Sequence, residues 1–294
     1  MTVYDLRTGS EIGSIDLPVS VALGNFDGLH IGHRELIRQA QCSDMKCCVF
    51  TFSHNPFGAP SIIDIDGKLE LLSDMGVDYA CVFDFANIKD VDHESFVRDI
   101  LVGRLNCRRA VCGFNFRFGR NALGNTESLK ALMEQSGGEA VVCDAVIYEG
   151  ETVSSSRIRA CLASGDIESA NAMLGRSYSV KYRVCHGNGI GRSLGFPTVN
   201  QPYEEGAVKL PYGVYVCSCM GYPAVTNFGI RPTVTDKNEP FFETFIIGYQ
   251  GDLYGEELKV EFRRMIRPEK KFSTYEELSS QIALDVEMTK EYFQ

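Results

Sequence analysis

Short apolar runs at residues 19–24, 46–52, 78–84, 109–113 and 140–146 punctuate the first half of the chain. Between them lie stretches at 33–42, 66–75, 93–104 and 126–135 in which apolar residues recur at helical spacing. In the first of these, Leu36, Ile37 and Ala40 share one face. Strand–helix alternation predicts an α/β domain with a parallel sheet covered on both faces. Ligands of such sheets bind beyond the C-terminal ends of the strands. The loops at 24–33, 53–60 and 113–124 each follow a predicted strand, so they are expected to meet on one rim.

The pattern changes near residues 175–183. A helix over 167–174 follows Gly165-Asp166 and ends at Gly175. From Tyr182 on, short β-type runs dominate, at 182–186, 213–219, 223–227, 241–249 and 257–265, with Gly, Pro, Asn and Asp between them. Such spacing predicts a small barrel or sandwich. One helix closes the chain. Ser273 or Thr274 caps it, Glu276 and Glu277 sit in its first turn, and Leu278, Ile282, Val286 and Thr289 form its stripe. Two domains are expected, residues 1–179 and 180–294.

Composition adds limits. A chain of 294 residues can bury two separate cores. Its net charge of −10 speaks against a nucleic-acid binder, which carries a basic face. Nucleotides remain open, because they need a local cationic site and Mg²⁺. The 11 cysteines are odd in number, contain no Cys-x-x-Cys pair and lie mostly in apolar runs. They read as small hydrophobes in a reducing, cytoplasmic compartment. No signal-peptide pattern opens the chain, and no apolar run approaches the ~20 residues that span a bilayer.

The densest chemistry is Gly24-Asn-Phe-Asp-Gly-Leu-His-Ile-Gly-His33. It joins a predicted strand to a helix start, where free N–H groups suit an anion. His30 and His33 could donate to phosphate oxygens as charge builds in a transition state, or be a surface pair on a capped helix. In the loop Gly113–Gly124, Phe114, Phe116 and Phe118 alternate, Arg117 and Arg120 could meet phosphates, and Gly119 and Gly124 allow close approach. A strand edge with solvated arginines would read the same way. In Val153-Ser-Ser-Ser-Arg-Ile-Arg159 a hydroxyl caps the next helix or joins Arg157 and Arg159 in a phosphate clamp. Gly187–Asn200 begins as a glycine loop with Arg192 and ends Gly-Phe-Pro-Thr-Val-Asn. On a strand, Thr198 and Asn200 would face one side, as hard-oxygen Mg²⁺ ligands should. Glu243, in the apolar run 241–247, is a sheet-edge charge or a general base.

Taken in order, several motifs resemble one family. They are Gly-x-Phe-Asp-Gly-x-His-x-Gly-His, Gly-x-Asn-Phe-x-Phe-Gly, Ser-Ser-Ser-Arg-Ile-Arg, Gly-Arg-x-Leu-Gly-Phe-Pro-Thr-x-Asn, Gly-Ile-Arg-Pro-Thr and Ile-Arg-x-Glu-x-Lys-Phe. The family is the bacterial bifunctional riboflavin kinase/FMN adenylyltransferases, the prokaryotic FAD synthetases. The resemblance implies a Rossmann-like nucleotidyltransferase domain followed by a six-stranded β-barrel kinase domain with a terminal helix. It implies riboflavin, FMN and ATP as substrates, FAD as product and Mg²⁺ as the metal. Carried over by residue, it implies that Gly24, Asn25, Phe26, Asp27, His30, His33, Ser155, Ser156 and Arg159 bind ATP in the first domain. Asn55, Asn115, Arg117 and Gly119 would face its flavin. In the second domain Gly187, Gly191, Arg192, Thr198 and Asn200 would bind ATP, with Thr198 and Asn200 on the metal. Glu243 would be the base and Arg267 would face the flavin.

The chain departs from the family pattern at three places. Asn55 stands where a His is usual, with His54 where a Pro is usual. Phe245 and Gly248 occupy positions after Glu243 that are often polar, and Tyr182 replaces a Gly before the first kinase strand. Phe245 and Gly248 motivate an alternative, an FMN adenylyltransferase whose barrel binds flavin but phosphorylates poorly. A non-catalytic flavin or nucleotide sensor is a second alternative, against which the retained His30, His33, Thr198, Asn200 and Glu243 speak.

Overall fold

A computed structural model describes residues 1–7, 15–42, 44–56, 58–187, 190–231 and 239–294. The chain divides into two compact units, Met1–Ser155 and Ser156–Gln294.

The first unit runs β1 (Thr2–Leu6), β2 (Val19–Leu23), α1 (Ile31–Gln41), β3 (Lys46–Phe52), α2 (Ile65–Asp74), β4 (Tyr79–Phe83) and α3 (His93–Ser95), which continues as a π-helix over Phe96–Arg104. Then come β5 (Cys107–Gly113), α4 (Thr126–Gln135), β6 (Glu139–Cys143) and the small hairpin β7 (Ile147–Tyr148) and β8 (Glu151–Thr152). Six strands form one parallel sheet in the order β1-β4-β3-β2-β5-β6. Strand succession reverses direction beside β2, and that is where open α/β sheets bind ligands. Leu23 pairs with Phe50 and Phe52 with Phe83, so the loops after β2, β3 and β5 leave the same rim, as expected.

Alternate residues of the buried strands feed two cores. Val21, Leu23, Cys48, Phe50 and Cys81 pack with Phe96, Leu101 and Leu129. Ala22, Cys47, Val49 and Ala80 pack with Leu36, Ile37 and Leu72 of α1 and α2. This is why both parities of these strands are apolar. The cysteines are free and mostly buried, and burial pushes the Cys47 and Cys107 thiols up to about 12. Such thiols are inert packing groups. The apolar pattern misses β1 and the short hairpin strands β7 and β8. β1 is an exposed edge strand that pairs with β4 through backbone groups.

The second unit holds α5 (Ser155–Ser164), which starts at the division, α6 (Ile167–Leu174), β9 (Tyr178–Arg183), α7 (Ile190–Ser193), β10 (Thr198–Pro202), β11 (Gly213–Cys219), β12 (Tyr222–Arg231), β13 (Glu239–Ile246), β14 (Glu257–Pro268) and α8 (Tyr275–Tyr292). Six strands form a curled antiparallel sheet in the order β10-β13-β12-β11-β14-β9. Register shifts between β11 and β14 mark bulges, which bend a strand. The two edges meet where the Cys185 N–H donates to the Asn200 carbonyl at 2.8 Å. The buried Gln201 amide donates to the Tyr182 and Leu258 carbonyls at 2.6 and 2.8 Å. Tyr215, Phe228, Phe242 and Phe262 fill the interior.

The expected division at 179/180 falls inside β9, which begins at Tyr178. Asn171 of α6 donates to the Phe262 carbonyl at 2.9 Å and accepts from the Tyr178 N–H at 2.6 Å. These bonds group α6 with the curled sheet. In α8, Thr274 is the cap and accepts from the Glu277 N–H, while Asp285 joins Val286 and Thr289 among the buried residues.

Candidate functional site

Each unit carries a site. In the first, the loop after β2 is wound in left-handed conformations. Phe26, Gly28 and Leu29 have φ of +53°, +78° and +44°. Backbone of this kind is costly for Phe and Leu and persists where its surroundings over-determine it. Phe26 and Leu29 are buried, and the buried Asp27 carboxylate accepts the Ile62 N–H at 2.9 Å. The Asp27 carbonyl accepts the Ser155 hydroxyl at 2.8 Å.

His30 caps α1, its Nδ1 accepting the His33 N–H at 3.2 Å. With Nδ1 accepting, Nε2 is the nitrogen left to donate. The His30 and His33 rings stack at 3.6 Å with 14° between their planes. Burial, the adjacent His30 and Lys68 hold His33 well below the ordinary histidine range. His33 is therefore a neutral donor rather than a cation. Asn25 Oδ1 and His33 Nδ1 are among several buried side-chain atoms of the described residues that have no hydrogen-bond partner. Buried polar atoms are normally satisfied, and these two lie together at the loop after β2 and the start of α1.

Other expected residues lie on the same rim. Asn55 is half-buried in a turn in which its carbonyl accepts the Gly58 N–H at 3.1 Å. His54 is exposed and its Nδ1 lies 3.0 Å from the Ser53 hydroxyl. Asn115 and Arg117 are exposed on the loop after β5. Phe116 and Phe118 do not stay open for a ligand ring. They stack on each other, and Phe118 packs against Phe96. Gly119 has φ +72°, and a Cβ there would lie 2.8 Å from the His93 backbone. Ser156 and Arg159 lie on α5 within the second unit.

The second unit contains a cavity of about 560 Å³. Gly191, Thr198, Asn200, Glu243 and Arg267 all line it. Register explains the gathering. Along β13, Phe242, Thr244 and Ile246 are buried, while Phe241, Glu243 and Phe245 face the cavity. Glu243 pairs across β10 with Asn200 and across β12 with Asn227. The polar neighbours of Glu243 thus come from adjoining strands. Asn227, which also lines the cavity, escaped the sequence reading because nothing local distinguishes it. Phe245 sits in an apolar wall with Phe196, Val214, Val225 and Ile282. Gly248, with φ +82°, lies after β13 and does not line this cavity.

Arg267 is fixed by Asp285 of α8. Its Nε donates to Oδ1 at 3.1 Å and an Nη to Oδ2 at 2.8 Å. Asp285 is 1% exposed and also accepts from Gln281. Gly187 and Gly191 are close-approach positions. A Cβ on the first would strike the Asn200 amide, and on the second the Phe196 carbonyl. Arg192 does not line this cavity but a neighbouring one of about 340 Å³, which shares Thr198 with it. Pro232 and Thr233 of the Gly-Ile-Arg-Pro-Thr motif lie outside the described residues.

Thr198 and Asn200 bring hard-oxygen donors to the cavity wall beside Glu243. No group of three or more His, Cys, Asp or Glu side chains among the described residues could cage a metal. A threonine hydroxyl and an asparagine amide oxygen are the kind of neutral oxygen donors that fit Mg²⁺ carried by phosphates.

A family model described as FAD synthetase matches residues 14–157, and one described as riboflavin kinase matches 174–293. Among curated relatives, proteins from Bacillus subtilis and Escherichia coli K12 are each named bifunctional riboflavin kinase/FMN adenylyltransferase. The first is 31% identical over 292 residues, covering 93% of this chain and 92% of that protein. The second is 32% identical over 290 residues, with the same coverage of 93% and 92%. A solved Streptococcus pneumoniae protein, described as a macrolide-efflux protein, superposes with a TM-score of 0.88 at 28% identity over 99% of each chain. Among the described residues of this chain, no helix is long and apolar enough to cross a membrane.

Proposed function

The chain belongs to the bifunctional riboflavin kinase/FMN adenylyltransferase family, and on that premise we propose how its own residues share the two reactions. It phosphorylates riboflavin to FMN with ATP, then adenylylates FMN to FAD with release of pyrophosphate.

In the second unit the ribityl 5′-hydroxyl attacks the γ-phosphorus of ATP. Glu243 takes the hydroxyl proton and ADP leaves. A primary alcohol is a poor nucleophile, so a base aligned with its proton lowers the barrier. Thr198 and Asn200 would hold the Mg²⁺–ATP complex, and Mg²⁺ would supply charge neutralisation on the phosphates. Phe241, Phe245 and Phe196 offer the apolar wall for the flavin ring, and Arg267 orients it. The adjoining cavity with Arg192 suits the nucleotide, because Thr198 belongs to both and transfer must cross between them. This half of the reading is carried by the register that sets Glu243 between Asn200 and Asn227 inside the cavity. It answers the alternative of a barrel that phosphorylates poorly, since support for the base does not depend on Phe245 or Gly248.

In the first unit an FMN phosphate oxygen attacks the α-phosphorus of ATP and the bond to pyrophosphate breaks. The N-terminus of α1, Asn25, His30 and His33 donate to the phosphates as charge moves onto the leaving group. The free, largely buried cysteines support a reducing cytoplasm as the compartment.

Incubation with riboflavin, ATP and Mg²⁺, followed by separation of FMN from FAD, tests the whole. FAD from riboflavin supports both halves. FAD from added FMN alone supports the adenylyltransferase-only reading, and no product sinks both. Chelation of Mg²⁺ is expected to abolish both steps.

A further inference from the structure

The reactions described above leave one buried cation without a task. Lys68 lies on α2, is 3% exposed, and sits at the rim where β2 and β3 end. Its Nζ donates to the Asn25 carbonyl at 3.0 Å, the Phe52 carbonyl at 2.9 Å and the Thr51 hydroxyl at 3.2 Å. Thr51, itself fully buried, donates in turn to the Asn25 carbonyl at 2.8 Å. One ammonium thus ties the loop after β2 to the last residues of β3. The loop it holds carries Asn25, Phe26 and Asp27. All three acceptors are neutral oxygens, although burying an ammonium is expensive. Desolvation lowers the lysine to about 8, with Asp27 opposing the shift. A methionine would fill the same volume without that cost. A buried ammonium bonded to the loop that carries Asn25, Phe26 and Asp27 points to the reaction.

We propose that Lys68 is a positioning residue for adenylyl transfer, locking the loop after β2 against the end of β3 and placing a fixed positive charge behind the groups that meet the nucleotide's phosphates. This rests on the adenylyltransferase reading of the first unit. Lys68 acts through Asn25 and its neighbours, which explains how left-handed residues such as Phe26 are kept in register. The titratable groups facing it are Asp27 on the loop and His33 on α1, while β3 contributes the neutral Thr51 and Phe52.

The test is Lys68→Met in the full chain. With FMN and ATP saturating, kcat for FAD formation is expected to fall roughly ten- to a hundredfold, the scale for losing a supporting partner or misplacing a reacting group. The thermal midpoint stays level or rises, because the buried charge is gone. Riboflavin phosphorylation, a reaction of the other unit, is unchanged in the same sample. In wild type, FAD formation falls as pH rises through about 8, where the ammonium loses its proton, and the variant lacks that limb. FAD formation within twofold of wild type overturns the inference. So does a loss that comes with a lowered midpoint, which would mark Lys68 as structural. If Lys68→Met does not fold, Thr51→Val removes the shared hydroxyl and is expected to lower kcat several-fold, and an unchanged rate there also overturns the inference. Wild-type protein that makes no FAD from FMN would refute the underlying reading instead.

Discussion

Replacing Asp285 by Asn removes the negative half of the pair that fixes Arg267 at the cavity wall. The carboxylate receives both guanidinium contacts, at 3.1 and 2.8 Å, and its side chain is 2% exposed. Breaking a buried pair by removing one partner costs roughly 3–5 kcal/mol. The Arg267 side chain is 19% exposed, so some water screens the stranded cation, and about 2–3 kcal/mol is the better figure. For a unit of this size each kcal/mol moves the midpoint by about 3 °C. Riboflavin phosphorylation should therefore be lost on heating roughly 6–9 °C earlier than in wild type. At 25 °C, kcat/KM for FMN formation should fall roughly tenfold, as when a residue loses the partner that orients it. FMN adenylylation in the same sample should not change. A half-inactivation temperature within about 2 °C of wild type, with kcat/KM intact, would refute the reasoning that Asp285 orients Arg267.

Glu243→Gln keeps the cross-strand pairing with Asn200 and Asn227 but removes basicity, so FMN formation should fall roughly 10²–10⁴-fold in a steady-state assay; a rate within twofold would return Glu243 to a sheet-edge charge. His33→Ala should cost roughly 10²–10³ in FAD formation and leave riboflavin phosphorylation alone, and wild-type FAD synthesis would sink the assignment. Because His33 is held neutral well below the usual range, FAD formation should keep its rate as pH falls through 6.5; an acid limb near 6.5 that disappears in His33→Ala would show the ring titrating normally. A fragment of residues 156–294 should fold and keep kinase activity, whereas residues 180–294 lack α6 and the first residues of β9 and should melt earlier; equal circular-dichroism melts would show that these residues are dispensable.

Much of the fold was legible because its signals are local. The strands β3 and β11 begin and end where their apolar runs do. Thr274 at the start of α8 is one of the two caps expected there, whereas the buried His30 caps α1 itself, a role the sequence reading did not give it. The aromatic loop after β5 was half legible. Its alternation is real, but the packing of Phe118 on Phe96 depends on a helix distant in sequence. β1 was not legible, since it is an edge strand that buries only Leu6 and is placed by its pairing with β4.

The sequence by itself determined most of the segments that become strands and helices, because periodicity and capping act over a few residues. It also determined the chemical inventory, the two histidines around Gly32, the Thr198 and Asn200 pair, and Glu243. Tertiary structure alone decided what those groups touch. Asn200 and Asn227 reach Glu243 because β10 and β12 flank β13 in one register. Asp285 reaches Arg267 because α8 returns to the mouth of the cavity. Lys68 reaches Asn25 because α2 lies over the ends of β2 and β3. A helix stripe or a strand's alternation names a face, but a partner is set by pairing between distant segments, which no local pattern encodes.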